Sequence, residues 1–108
     1  TAPKAFSSFG SLKRTLGPAG EGNVYHHIVE QRAINVQKFG TEAIHNTQNV
    51  VAVPRQVNQQ IANYYSSKRS AFTGNLTVRE WLNTKSLEQQ RQFGLDVLHR
   101  VQSGKPLP

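Results

Sequence analysis

Apolar positions fall in short groups, and the spacing within them switches between that of strands and that of helices. The segment 23–29 (Asn-Val-Tyr-His-His-Ile-Val) is rich in β-branched and aromatic residues, which predicts a strand that ends near two histidines. Asn49-Val50-Val51-Ala52-Val53 predicts a second short strand closed by Pro54, a residue well suited to the first position of a helix. In that helix Val57, Ile61 and Tyr64 stand at i, i+4 and i+7, an apolar face expected to lie on the two-stranded ribbon, with Asn58 beside the stripe. Between the strands, Ala33, Ile34, Phe39, Ala43 and Ile44 punctuate polar residues and Gly40 interrupts them, as expected of two short helical turns on a long loop.

The flanks read as support. Upstream, Phe6, Phe9, Leu12 and Leu16 are spaced loosely like one side of a short helix, and Gly17-Pro18-Ala19-Gly20-Glu21-Gly22 then stops any regular structure. That leading segment serves either as a flexible approach to a site or as a plain connector. Downstream, the polar stretch 66–75 reads as a loop, and Thr77 with Glu80 forms a capping box for a helix that buries Trp81 and Leu82. Ser86 caps the last helix, whose Leu87, Phe93, Leu95, Val97, Leu98 and Val101 make a broad apolar face before Gly104 and two prolines end it. Of Tyr64 and Tyr65, one is expected in the core and the other outside; Trp81 is expected in the core. Together these elements predict an α+β fold, a small antiparallel ribbon with one helix, braced by C-terminal helices.

Length and charge narrow the class. A chain of 108 residues fits one domain of modest core. The 13 lysines and arginines against 6 aspartates and glutamates give a net charge of +7, which favours an anionic partner, nucleic acid first, then an acidic protein or an anionic membrane surface. Cysteine is absent, so disulfides and thiolate metal sites are excluded and any metal must be held by nitrogen and oxygen. No apolar run approaches the ~20 residues that span a bilayer, so no membrane insertion is expected. A start at Thr1 without any methionine suggests a piece of a longer protein.

Adjacent histidines on an extended segment point to opposite sides, so His26 and His27 suit two different jobs better than one shared ion. One ring can ligate a metal, while the other, with an ordinary pKa of about 6.5, can take a proton from water near neutral pH. Asn58 sits in the first turns of its helix, where its amide oxygen is a candidate second ligand. One imidazole nitrogen and one amide oxygen leave most coordination positions to water and phosphate. That suits Mg2+, or Mn2+, better than a closed zinc site.

The order His26-His27, Asn49 leading a short strand, and a ligand position on the following helix resembles the HNH and endonuclease VII superfamily. Its fold is the ββα-metal finger. The fuller string, from Gly17–Gly22 through Tyr25-His26-His27-Ile28-Val29-Glu30-Gln31, Ala43-Ile44-His45-Asn46-Thr47 and Asn49-Val50-Val51 to Val53-Pro54, is similar to nuclease toxin domains at the C-terminus of bacterial Rhs-type and other polymorphic toxins. The likeness covers most of the chain, from about Ser8 to Leu98. It implies a single nuclease domain with a leading segment at 1–22, the finger at 23–65 and supporting helices at 77–103.

By position, the resemblance implies His26 as metal ligand, His27 as general base, and Asn49 as the residue that ties down the loop and orients the base. Asn58 falls where many members carry the last histidine of the motif; endonuclease VII-like members also use asparagine there, and the departure weakens a Zn2+ or Ni2+ assignment. His45 is a further candidate for the coordination sphere or for phosphate contact, against the plainer reading of a turn residue. Glu30 is a candidate to assist the metal or orient His45, against that of a solvated carboxylate. Arg32, Lys38, Arg55, Lys68 and Arg69 are candidate phosphate contacts, which position a substrate without reading its bases, or else ordinary surface charge.

The activity expected is metal-dependent hydrolysis of phosphodiester bonds in DNA with little sequence preference. A ribonuclease on the same scaffold and a non-catalytic nucleic-acid-binding module are the alternatives. A toxin of this class needs a cognate immunity protein, and the positive charge makes an acidic one the natural candidate. It would be delivered as part of a larger bacterial toxin and act in the cytoplasm of the target cell.

Overall fold

The computed structural model describes residues 2–108, and its element order is that of an α+β chain with a two-stranded antiparallel sheet and several helices. The chain divides into two compact units, one ending at Pro54 and the other spanning Arg55–Pro108. The boundary falls within the segment 23–65.

The first unit opens with helix α1, Phe9–Leu16. The Ser8 hydroxyl accepts from the Ser11 N–H and caps its first turn, and Gly17, at φ 79°, ends it with an N–H donated to Lys13 O. A left-handed residue is needed there, and glycine supplies it without Cβ strain. Strand β1, Asn23–His27, pairs antiparallel with β2, Val50–Pro54, in the register Tyr25 to Ala52, His26 to Val51 and His27 to Val50. The connection carries α2, Ala33–Phe39, and α3, Thr41–Ile44, split by Gly40 at φ 88°. These are the two short helical turns expected there.

Strand β1 stops two residues short of the predicted end because Asn49 replaces the ladder. Ile28 N–H donates to the Asn49 backbone carbonyl, and Val29 spends both its N–H and its C=O on the Asn49 side chain. Leu12, Val29, Ile44 and Val53 are essentially fully buried, and each such side chain contributes roughly 1.5–3 kcal/mol relative to exposure. The leading segment is docked. Phe6 N–H donates to His45 O and Thr47 N–H to Lys4 O, and Lys4 N–H reaches the Thr47 hydroxyl, making an isolated antiparallel bridge between Ala5 and Asn46.

Pro54 proves to be the last residue of β2 and of the first unit, so helix α4, which opens the second unit, spans Arg55–Tyr65. The polar stretch 66–75 contains a short helix α5, Ser70–Thr73, and then come α6, Val78–Trp81, a 3-10 turn at Leu82–Thr84, and α7, Leu87–Ser103. The expected capping box of Thr77 with Glu80 is present, and Ser86, expected as a cap, forms a second box with Gln89. Two side-chain expectations are corrected. Tyr64 and Tyr65 are both buried, because each stacks or tilts against Phe93 of α7 at 6.3 and 6.0 Å. Trp81 is only half-buried: its ring packs on Phe72 and Phe93 at 5.0 and 5.5 Å, and the Lys85 ammonium lies 4.6 Å from it. Among the described residues no helix is long and apolar enough to cross a membrane.

Candidate active site

The polar residues of the first unit gather where β1 ends. His26, His27, His45 and Asn49 are all buried, at 7%, 6%, 8% and 4% exposure. Alternation along the strand turns His26 and His27 to opposite faces. His27 shares its side with Tyr25 and meets His45, which α3 delivers at its C-terminal end: His27 Nε2 and His45 Nδ1 are 3.3 Å apart. Phe9 of α1 closes the group, its ring edge-on to His27 at 4.7 Å and parallel to His45 at 6.2 Å.

Asn49 fixes this corner. Its Oδ1 accepts from Val29 N–H at 2.8 Å, and its Nδ2 donates to Val29 O at 3.0 Å and to Ile44 O at 2.9 Å. Val29 lies two residues beyond His27 and Ile44 one residue before His45, so a single side chain holds both histidine-bearing segments. The His45 carbonyl, in turn, accepts from Phe6.

Electrostatics keep the pair neutral. Burial, then the neighbouring His45 and His26, lower the His27 pKa from 6.5 to about 4, and burial lowers that of His45. Two neutral imidazoles can share one proton along the 3.3 Å contact, which leaves one ring nitrogen of the pair with a free lone pair, unprotonated at pH 7.

Among the described residues no group of three or more His, Cys, Asp or Glu could hold a metal. What is present, imidazoles with no thiolate, does not fit a closed structural zinc site.

The remaining predicted residues are distributed over both units. Glu30 is half-buried, its backbone carbonyl accepting from Asn35 Nδ2 at 2.9 Å. Arg32 and Lys38 belong to the first unit, and the Lys38 ammonium sits 5.0 Å from the Phe39 ring. Asn58, half-buried on α4, and Arg55, Lys68 and Arg69 belong to the second. Arg69 lies over the Tyr64 ring at 4.8 Å and also donates to the Ser67 hydroxyl.

Phe9 was not among the predicted site residues, and its contact with two histidines is what sequence reasoning missed. Its spacing with Leu12 and Leu16 marked an apolar helix face, but nothing local tied that face to residues 27 and 45. No family model, curated protein or solved structure matches the chain.

Proposed function

We propose that this chain is a metal-dependent endonuclease that hydrolyses phosphodiester bonds in DNA with little sequence preference, acting as an antibacterial toxin domain. The observation that carries the reading is the buried His27–His45 pair at the end of β1, clamped by Asn49 through Val29 and Ile44. The chain order of strand, long connection, strand and helix supports reading the finer fold as a ββα-metal finger.

In this scheme His27 takes the proton of the attacking water. In the tautomer whose Nε2–H donates to His45 Nδ1, His27 Nδ1 is the receiving atom. Asn49 keeps the base in place by fixing the backbone on either side of the pair. His26, on the opposite face of the strand, would hold the cation. When bound, Mg2+ or a similar ion supplies charge neutralisation at the phosphate and the leaving oxygen. A net charge of +7 favours the polyanionic substrate and, in a producing cell, an acidic immunity protein.

The test is cleavage of supercoiled plasmid, with total RNA in parallel, in Mg2+, Mn2+, Zn2+ or chelator. His27→Ala is expected to lower cleavage about 10²–10⁴-fold while metal binding, followed by calorimetry, is retained. His26→Ala is expected to lose both. Wild-type cleavage rates in both variants, or scission that persists in chelator, would overturn the assignment.

A further inference from the structure

Beside the histidine corner lies a groove of about 600 Å³, lined by Phe9, Lys13, Arg14, Pro18, Val24 and Tyr25 among others, with no acidic residue in its walls. It is built to keep its shape. The Tyr25 hydroxyl donates to Gly17 O at 2.7 Å, and Asn23 Nδ2 donates to Ala19 O at 3.3 Å, so the 17–22 loop is stitched to β1 along one rim. The other rim is the last turn of α1, which presents two exposed cations. The Lys13 ammonium stands 4.3 Å above the Phe9 ring, and the Arg14 guanidinium is steadied by the Ser11 hydroxyl at 3.1 Å.

The groove leads to the proposed base. Tyr25 and His27 are two positions apart on one face of β1, a separation of roughly 7 Å, about the reach of one nucleotide. Phe9 belongs to both places, lining the groove and touching the His27 ring. An apolar, aromatic floor with cations on one edge matches a nucleobase with its phosphate. Every base offers a face to stack on, so such a site is tolerant of sequence.

We infer that this groove is the subsite for the DNA nucleotide next to the scissile phosphodiester, its base seated against Tyr25, Val24 and Pro18 and its phosphate held by Lys13 and Arg14. The identity of the occupant rests on the nuclease reading; the groove, its cations and its link to His27 do not.

The inference is tested by titrating isotope-labelled full chain with oligothymidylate of five nucleotides in chelator, where nothing is cleaved. Amide shifts are expected at Lys13, Arg14, Val24 and Tyr25. Lys13→Gln and Arg14→Gln, both on exposed side chains, are each expected to weaken binding five- to tenfold and to lower the salt slope by about one. Ala19→Trp, which fills the groove, is expected to block binding while the melting curve shows a folded chain. Unchanged affinity in the two charge variants, or shifts confined to other residues, would overturn the subsite even if the plasmid assay succeeds. Shifts in the groove without cleavage in any metal would support a nucleotide-binding groove and remove both the nuclease reading and the place beside a scissile bond. Displacement of the groove signals by polyglutamate but not by oligothymidylate would overturn the inference in favour of an acidic protein.

Discussion

Asn49 carries more of the first unit than its size suggests. Replacing it with alanine leaves the Val29 N–H, the Val29 carbonyl and the Ile44 carbonyl without partners in a buried place, and each orphaned group costs about 1–3 kcal/mol. Relaxation and water recover part of that sum, so Asn49→Ala is expected to lose roughly 3 kcal/mol in urea unfolding with an unchanged slope. A loss below about 0.5 kcal/mol would mean the three bonds do not hold the corner. The importance of this asparagine was legible in the sequence through resemblance, as was the divergence of His26 and His27 through strand alternation. The partner of His27 was not legible. His45 lies 18 positions away, and only the path of two short helices and a docked leading segment decides that its ring returns to the same place.

Elements were legible wherever a local signal sets their ends. Thr77 with Glu80 and Ser86 with Gln89 satisfy orphan N–H groups from within four residues, so the starts of α6 and α7 could be read directly. Ser86→Ala removes the hydroxyl that accepts from Gln89 N–H at 3.1 Å and is expected to cost about 1 kcal/mol, whereas Ser86→Asp, which keeps an acceptor, should retain most of the stability. Equal losses in both, measured by urea unfolding, would show that the cap is not what begins the helix. Where long-range contacts decide, local signals do not suffice. Pro54 suits a helix start, yet here it ends β2 opposite Asn23, since the last position of a strand needs no N–H from it. Of Tyr64 and Tyr65 helical spacing favours only one in the core; both are buried because Phe93 offers a surface wide enough for two rings. The α1 face that carries Phe9 was visible as a helix but not as a wall of a groove, since its partners come from β1 and the 17–22 loop.

For the whole molecule the decisive quantity is charge. Even if each of the 6 acidic residues neutralised one of the 13 basic ones, 13 − 6 = 7 cations would remain without a counter-charge from the chain. Some cations are engaged inside their own units: Arg100 pairs with Asp96 at 2.9 Å, and Lys13, Lys38, Arg69 and Lys85 each sit over an aromatic ring. A cation over a ring keeps its charge and its outward donors, so the Lys13 ammonium and the Arg69 guanidinium remain available to an anionic partner. If about five phosphates are neutralised on binding, the logarithm of affinity for duplex DNA in chelator should fall with that of salt at a slope near −4 to −5, a loss of several hundred-fold between 50 and 200 mM salt. The Lys13→Gln and Arg14→Gln double variant should flatten that slope by about two. A wild-type slope shallower than about −1 would mean that the positive charge is scattered over the surface and not gathered on a face that nucleic acid can use. Binding would then have to come from apolar contact, and an acidic protein would become the better partner for this much charge only if its own affinity kept the steep dependence that DNA lacked.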